Sequence, residues 1–268
     1  MKKFEKLVFF IKNPRKIISD GISLQHERIF HENLIKKYKY SQLPTIDFLD
    51  MFPGFEEDLT TYSFLEGTSL VTDLMLLKKL AKRFDKCNYL EIGSWRGESI
   101  ANISGIAENC TTINLPVEEM KSMKLSAEFI NAHGIFSNGI KNVRTILHNS
   151  RTLDFDTLHD KFDLIFIDGD HSYEGILNDT KKTFTLRRDT SSIIAWHDYG
   201  FTPERVRYAT LNAILDGIPK ELHHNLYHVS NTLCAVYIEN LDLSTYTTKF
   251  PMRPNKKFSV KVQASGYH

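Results

Sequence analysis

Short apolar runs alternate with amphipathic stretches along residues 88–238. Five of these runs are rich in β-branched and aromatic residues and predict strands at 88–92, 111–115, 143–147, 163–167 and 192–196. The intervening and following stretches carry apolar residues at helical spacing and predict helices at 97–107, 118–132, 151–159, 173–187 and 203–216. Strands that alternate with helices are typical of a mostly parallel sheet covered by helices.

Two final apolar runs, at 225–230 and 233–238, are separated by Asn231 and Thr232. A two-residue interval of this kind predicts an antiparallel hairpin. The sequence therefore predicts an α/β fold: a Rossmann-like, mostly parallel sheet of seven strands, flanked by helices, whose last hairpin is antiparallel.

The segment before residue 68 has a different character, because Pro44, Pro53 and Gly54 interrupt its short aromatic and charged stretches. It predicts a helical or irregular cap. Thr72 or Asp73 is then predicted to cap a helix whose apolar face carries Leu74, Leu77, Leu80, Ala81 and Phe84. The predicted organisation is a cap at 1–67, a sheet domain at 68–240 and a tail at 241–268.

Composition narrows the classes of function. The formal net charge of the 268 residues is +1, so no overall field attracts nucleic acid, and no nucleic-acid partner is predicted. The three cysteines, Cys87, Cys110 and Cys234, are widely spaced. They predict neither a disulfide framework nor a zinc site, and they favour a cytoplasmic location.

Residues 1–19 carry six Lys or Arg against Glu5 alone, interleaved with aromatic residues. This pattern suits weak contact with an anionic membrane surface at the inner face. An ordinary packed or frayed terminal helix is the favoured interpretation. No segment approaches the ~20 apolar residues that span a bilayer.

Glycines and polar residues follow the first predicted strand, and ligands of open α/β sheets bind at the carboxyl ends of strands. Glu91, Gly93, Ser94 and Gly97 belong to this junction. Its glycines would let a ligand approach the backbone closely, although a tight turn explains them equally well. The spacing is not G-x-G-x-x-G, which favours a cofactor that does not present a pyrophosphate.

Acids and histidines follow the fourth and fifth predicted strands. Asp168, Asp170 and His171 come after one strand, and His197 and Asp198 come after the other. Because the ends of neighbouring parallel strands meet at one edge, these residues predict a shared pocket. For either histidine alone, a structural hydrogen bond is an equally good explanation. Asp170 or the adjacent Ser172 is the predicted cap of the following helix.

The segments EIGSWRGES, FDLIFIDGDHSYEG and IIAWHDYG resemble class I S-adenosylmethionine-dependent methyltransferases. The closest resemblance is to the bacterial small-molecule and sugar O-methyltransferase branch that carries the IDGDHSYE motif. It covers roughly residues 65–240. It implies S-adenosylmethionine as the cofactor of the 68–240 domain, and a small molecule or a glycan sugar as the methyl acceptor.

The resemblance also implies a set of residues that bind the cofactor: Glu91, Gly93, Ser94, Gly97, Asn114, Asn149, Ser150, Asp168 and Asp170. Asp168 would lie near the sulfonium. Asn114 stands where the family usually has an acid for the ribose hydroxyls, and Glu118 and Glu119 follow it. Asn149 stands where an acid often contacts the adenine amine, and its carbonyl can accept the same hydrogen bond.

Methyl transfer to a hydroxyl needs a base, and an imidazole titrates near neutral pH. His171 and His197 are the candidates, with Asp198 or Asp170 to orient the ring, and His171 is preferred because it opens a helix beside the expected methyl position. A divalent cation held by Asp168, Asp170 and Asp198 is the less favoured alternative, since His197 replaces an acid of the cation-dependent relatives.

Two other classes of function stay open. An NAD-linked oxidoreductase is disfavoured by the missing third glycine and by the absence of an acid after the second strand. A non-catalytic Rossmann-like binding module is the other, because Asn114 and Asn149 depart from the family pattern. The acceptor pocket is expected between the cap, residues 199–207 and the tail after 240. Phe201, Tyr208 and Tyr227 are compatible with stacking on a sugar ring but are more simply core or hairpin residues.

Overall fold

The computed structural model describes the backbone of residues 14–266 and the side chains of residues 24–266. Its helices are α1 Pro14–Tyr38, α2 Phe48–Met51, α3 Val71–Ala81, α4 Glu98–Ser104, α5 Val117–Ser122, α6 Ala127–Asn131, α7 Tyr173–Phe184 and α8 Tyr208–Gly217. Its strands are β1 Thr45–Ile46, β2 Asn88–Ile92, β3 Asn109–Asn114, β4 Val143–Leu147, β5 Leu164–Ile167, β6 Ile193–Trp196, β7 Gly200–Thr202, β8 Arg205–Val206, β9 Leu226–Val229, β10 Ala235–Tyr237 and β11 Thr245–Tyr246.

The described strands form a main sheet in the order β11-β1-β9-β10-β6-β5-β2-β3-β4. Strand β2 lies between β3 and β5, and the four pairings that join β4, β3, β2, β5 and β6 are all parallel. Strand β10 pairs antiparallel with both β6 and β9. The predicted fold class is therefore confirmed, including the antiparallel closing hairpin.

The sheet has nine strands in the described residues rather than the predicted seven. The segment expected to be only helical or irregular supplies β1, which pairs parallel with β9, and the predicted tail supplies β11, which pairs antiparallel with β1. Each of these strands is two residues long, too short for an alternating pattern to be visible in the sequence. The division at 67/68 and 240/241 stays a prediction.

Three predicted helices differ in the structure. The one expected at 118–132 is divided into α5 and α6, with Lys124 between them at φ +59°. The one expected at 151–159 is a single 3-10 turn, Phe155–Leu158. The one expected at 203–216 begins only at Tyr208, because β7 and β8 form a small hairpin before it.

The start of α3 also differs from the prediction. Leu70 is the N-cap residue, so neither Thr72 nor Asp73 takes that position. Asp73 lies inside the first turn, where its carboxylate accepts a hydrogen bond from the backbone N–H of Leu70 at 2.8 Å. Phe84 lies beyond the end of the helix at Ala81.

The central strands are buried on both faces, as expected for parallel strands covered by helices. In β5, Ile165 and Ile167 pack into one apolar core, while Leu164 and Phe166 pack into the other. In β6, the indole N–H of the fully buried Trp196 donates to the hydroxyl of Thr180 on α7 at 2.9 Å. The residues that follow these strands are thus held on a rigid base.

Helix α1 packs against α8. The side chain of Asp216 on α8 accepts hydrogen bonds from Lys37 and Tyr38 of α1, and from Tyr173 at the start of α7 at 2.7 Å. Among the described residues, no helix is long and apolar enough to cross a membrane. The side chains of the basic segment 1–19 lie outside the described residues. The three cysteines are buried and their thiols are free.

Candidate active site

The parallel ladder brings three strand ends into register. Ile92 pairs with Ile167, and Ile167 pairs with Trp196. The residue that follows each strand is therefore at the same edge, with the Asp168 N–H donating to the Ile92 carbonyl at 2.9 Å and the His197 N–H donating to the Ile167 carbonyl at 3.0 Å. The chain order reverses at β2, and a cavity of about 920 Å³ lies at this topological switch point.

The turn after β2 lies directly against the turn after β5. Gly93 has φ +80°, and a Cβ placed on it would overlap the Asp168 carbonyl oxygen and lie 2.5 Å from the Gly169 Cα. Only glycine permits both this backbone conformation and this contact. Gly93 and Ser94 line the cavity, as do Asn114, Asn149, Ser150, Asp168, Asp170, His171, His197 and Asp198 from the predicted site residues.

Two predicted cofactor residues lie behind the wall of the cavity rather than on it. Glu91 is fully buried, and its carboxyl group accepts hydrogen bonds from Tyr89 at 2.7 Å and from Ser99. Burial raises the pKa of Glu91 to about 8. Gly97 has φ +89°, and its missing Cβ makes room for Ser137, whose Oγ would lie 2.6 Å away. Both residues shape the turn without facing the cavity.

Asn114 is hydrogen-bonded within the first turn. Its carbonyl oxygen accepts from the Ser94 N–H at 2.8 Å, and its amide donates to the Ser94 hydroxyl at 2.9 Å. Asn149 donates to Oε2 of Glu119 at 2.8 Å, and its carbonyl oxygen accepts from the Arg151 N–H at 3.0 Å. Glu119, in the first turn of α5, therefore brings a carboxylate to the cavity next to Asn149.

Part of the cavity wall is aromatic. Trp95 stacks on Phe129 of α6 at a centroid distance of 4.9 Å, and the guanidinium of Arg96 lies 4.0 Å from the Trp95 ring centre. The indole N–H of Trp95 is buried without a hydrogen-bond partner among the described residues. An unpaired buried donor on the wall of a cavity is a candidate contact for a ligand.

His197 is enclosed by three carboxylates. Its Nε2 lies 3.1 Å from Asp73, and its Nδ1 lies 3.1 Å from Asp168 and 3.6 Å from Asp198. Burial alone would lower the pKa of His197, but Asp168 and Asp73 raise it well above the usual value. Both ring nitrogens then carry protons and donate to carboxylates, so this histidine has no free lone pair with which to act as a base. Asp73 was expected only as a helix cap.

His171 forms a second pair with Asp198, whose Oδ2 lies 2.7 Å from the histidine Nδ1. The His171 side chain is 52% exposed, while that of Asp198 is only 16% exposed. The hydrogen bond to Asp198 raises the pKa of His171. Burial opposes ionisation of Asp198, but His171, His197 and Arg207 lower its pKa to about 2. The ionised carboxylate fixes Nδ1–H, which leaves Nε2 as the nitrogen that can accept a proton.

Asp170 points away from these two histidines. It pairs with Arg151 at 2.5 Å and accepts from the Ser172 N–H at 2.8 Å. Burial would raise the pKa of Asp170, but these contacts lower it. Ser172 is the N-cap residue of α7, since its hydroxyl accepts from the Gly175 N–H at 3.1 Å, and this decides between the two predicted caps.

The structure brings together only two of the three acids of the divalent-cation alternative, which stays a prediction. Asp168, His197 and Asp198 are close enough to share an ion. In this cluster His197 takes the place of the third acid of that alternative, with its Nδ1 3.1 Å from Asp168 and 3.6 Å from Asp198. The third predicted acid, Asp170, is engaged by Arg151.

Residues 90–199 match the family model described as a methyltransferase domain. The resemblance inferred from the sequence motifs is confirmed over this segment, which includes every strand end described above.

The chain is also similar to several known proteins. The uncharacterized protein R132 of Acanthamoeba polyphaga mimivirus is 25% identical over 143 residues, which are 48% of this chain and 61% of that protein. The chain thus spans about three-fifths of this curated relative. Among solved structures, the SAH-bound methyltransferase PaMTH1 of Podospora anserina has a TM-score of 0.45 at 17% identity, over 65% of this chain and 80% of that one.

Two further structures have related descriptions. The TDP-rhamnose 3'-O-methyltransferase CalS11 has a TM-score of 0.40 at 16% identity, with 63% of this chain and 80% of that one covered. A putative caffeoyl-CoA O-methyltransferase from Staphylococcus aureus has a TM-score of 0.42 at 20% identity, with 64% of this chain and 85% of that one covered.

Proposed function

We propose that this protein is an S-adenosylmethionine-dependent O-methyltransferase whose acceptor is a hydroxyl of a small molecule, with a glycan sugar as the leading class. The observation that carries the proposal is the pair formed by His171 and Asp198 on the wall of the cavity of a methyltransferase domain. A half-exposed imidazole held by an ionised carboxylate is suited to removing a proton from a hydroxyl.

The cavity suits the proposed cofactor. The turn at Gly93 and Ser94 offers backbone groups that would bind the amino-acid portion of S-adenosylmethionine. Asp168 offers a carboxylate that would bind its positively charged sulfonium or amino group. Glu119 is the candidate for the ribose hydroxyls, in place of the acid that Asn114 does not supply, because its carboxylate lies at the cavity just after β3. Asn149, Ser150 and Asp170 are the remaining candidate contacts.

The bound cofactor supplies an electrophilic methyl group whose leaving group is a neutral thioether. The chain itself has to deprotonate the acceptor and hold it in line. Neutral His171 accepts the hydroxyl proton on Nε2 as the oxygen attacks, while Asp198 accepts the hydrogen bond from Nδ1–H and stabilises the imidazolium that forms. Arg207, whose guanidinium nitrogen lies 3.5 Å from Asp198, helps to keep that carboxylate ionised.

His197 is proposed as a positioning residue. Its two N–H groups hold Asp168 and Asp73, and its charge keeps the Asp168 and Asp198 carboxylates together without a metal. Turnover is therefore expected to be unchanged in excess EDTA. A loss of turnover that Mg²⁺ restores would overturn this part of the proposal.

Cofactor binding is tested first, by thermal denaturation with S-adenosylmethionine, its demethylated product and NAD. A ligand at 100 times its Kd stabilises a protein by about 2.7 kcal/mol. We expect the first two ligands to raise Tm and NAD to leave it unchanged. A shift with NAD alone would favour the oxidoreductase, and no shift with any of the three would contradict the proposed function.

Catalysis is tested separately, by transfer of labelled methyl groups to a panel of glycosides and phenols. His171→Ala is expected to retain cofactor binding and to lose at least about a hundredfold in rate, the usual contribution of a positioned base. The control is His148→Ala, which removes another histidine of the cavity wall. Cofactor binding without transfer to any acceptor of the panel would favour the non-catalytic binding module.

The location in the cell is also a proposal. A cytoplasmic protein with weak contact between residues 1–19 and an anionic membrane surface is compatible with the sequence, and the packed terminal helix remains the favoured interpretation. Sedimentation with anionic vesicles tests the contact. Equal sedimentation of the full chain and of a variant that lacks residues 1–19 would exclude a role for this segment.

A further inference from the structure

A second cavity, of about 760 Å³, lies outside the site described above. Its volume is in the range of small-molecule binding sites. It is formed by three parts of the chain that are distant in sequence, namely α1 with the segment after it, the β7–β8 hairpin with the start of α8, and the tail. The lining residues are Leu24, Glu27, Ser41, Gln42, Phe201, Glu204, Arg205, Val206, Tyr208, Thr248 and Phe250.

Arg207 connects this cavity to the proposed catalytic pair. Its guanidinium carbon lies 4.6 Å from the centre of the Phe201 ring, and its Nη2 lies 3.5 Å from Oδ1 of Asp198. Phe201 follows Asp198 by three residues, so their Cα atoms are at most about 11 Å apart. The second cavity thus borders the short segment that follows Asp198 in the chain.

Two aromatic rings of the cavity are partly exposed. The exposed fraction is 50% for Phe201 and 58% for Phe250. Each ring has a guanidinium against it, since Arg205 lies 4.0 Å from the centre of the Phe250 ring, as Arg207 lies against Phe201. The arginines hold the rings in place, and the exposed ring surface is available to the apolar face of a ligand.

The same cavity contains two carboxylates, and in each of them one of the two oxygens accepts a hydrogen bond from a backbone N–H. Oε2 of Glu27 accepts from the Tyr208 N–H at 2.7 Å, and Oε1 of Glu204 accepts from the Met252 N–H at 2.9 Å. In the described part of the chain, the second oxygen of each has no hydrogen-bond partner. These oxygens can accept hydrogen bonds from hydroxyl groups. With two acids against Arg205 alone on the wall, a phosphate group is disfavoured.

We propose that the second cavity binds an uncharged glycosyl unit of the acceptor, next to the unit that is methylated. Its apolar face stacks on Phe201 and Phe250, and its hydroxyls donate to Glu27 and Glu204. The statement that the bound sugar belongs to the methyl acceptor rests on the proposed function. Binding of a sugar in this cavity can be tested without measuring turnover. The inference predicts that the acceptor has at least two linked sugar units. It also predicts that the second cavity does not bind a diphosphate group of the acceptor.

The test is saturation-transfer NMR on the full chain with a panel of neutral methyl glycosides, with methyl glycoside phosphates and phenol as competing classes. We expect at least one neutral glycoside to receive saturation. Phe201→Ala should weaken its binding roughly fivefold, because a stacking ring is lost. Glu204→Gln, which preserves the shape of the cavity, should weaken it roughly tenfold, because a charged acceptor is lost. Phe64→Ala removes a ring of similar exposure (63%) from outside both cavities and is the control.

The outcomes separate this inference from the proposed function. Three outcomes would overturn the inference about the second cavity. The first is that no neutral glycoside gives a signal, and the second is that the signals are the same for all three variants. The third is that phosphorylated glycosides or phenol bind in place of neutral glycosides. The affinity for S-adenosylhomocysteine is measured on the same samples. If S-adenosylhomocysteine does not bind, the methyltransferase proposal is contradicted. The glycoside result would still decide the role of the second cavity.

Discussion

The carboxylate of Asp73 accepts a hydrogen bond from Nε2 of His197 at 3.1 Å, although the two residues are 124 positions apart in the chain. The same carboxylate accepts from the Leu233 N–H at 2.7 Å, at the turn of the closing hairpin. Asp73 is fully buried. Helix α3, the end of β6 and the hairpin are thus held together by one carboxylate behind the proposed active site.

Asp73→Asn is expected to lower the free energy of unfolding by about 3 kcal/mol, because a buried ion pair that loses one charge is strongly destabilised. Urea denaturation measures the change, with Asp50→Asn, an exposed acid of α2, as the control. Equal midpoints for the two variants would mean that His197 is not held as a cation.

The His171–Asp198 pair makes a prediction about pH. Because Asp198 raises the pKa of His171, the neutral base accumulates only as pH rises through that raised value, and the methyl-transfer rate should rise with it. Asp198→Asn should lower the pKa of His171, moving the rise to lower pH while reducing the maximal rate. Histidine proton NMR during a pH titration measures the shift without an acceptor, and an unmoved His171 titration would contradict the pairing.

Gly93→Ala separates backbone strain from steric overlap. Gly139 has nearly the same φ, +81° against +80°, but nothing lies within 4 Å of the position of a Cβ there. Gly139→Ala should therefore cost only about 1 kcal/mol of unfolding free energy. Gly93→Ala should cost about 2 kcal/mol more, because the turn after β5 has to move, and it should also abolish the Tm shift with S-adenosylmethionine. Equal costs would mean that the two turns are not in contact.

Glu91 should make the protein less stable as pH rises. Its pKa is about 8 when folded against an ordinary value of 4.5, so between these values unfolding releases a proton, and the free energy of unfolding falls. The total effect is on the order of 5 kcal/mol. Glu91→Gln should remove this slope, whereas Glu118→Gln, at an exposed position, should keep it. Parallel Tm–pH curves for wild type and Glu91→Gln would show that Glu91 does not titrate in this way.

The strand-end residues could be predicted because a parallel ladder aligns strand ends. The sequence places Asp168 and His197 immediately after apolar runs, and the register of β5 with β6 then makes them neighbours. What the sequence does not carry is the direction of each side chain. It could not show that His197 is enclosed by acids, or that Glu91 and Gly97 lie behind the wall.

Other features depend on how separate elements pack. Asp73 is an ordinary helix-start residue in the sequence, and only the position of α3 against the hairpin turns it toward His197. Glu119 was one of two adjacent acids, and the start of α5 determines that it, and not Glu118, lines the cavity. Tertiary packing supplies this information, and local spacing does not.

The two short strands β1 and β11 have a consequence for any attempt to isolate the predicted sheet domain. A fragment cut at residues 68 and 240 would lack both, and the backbone edge of β9 would be left open beside the former site of the fully buried Ile46 and Phe48. Open edges of this kind join the edges of other molecules. Such a fragment should form aggregates even if its seven strands of the main sheet fold, so the outer segments act as protection against self-association.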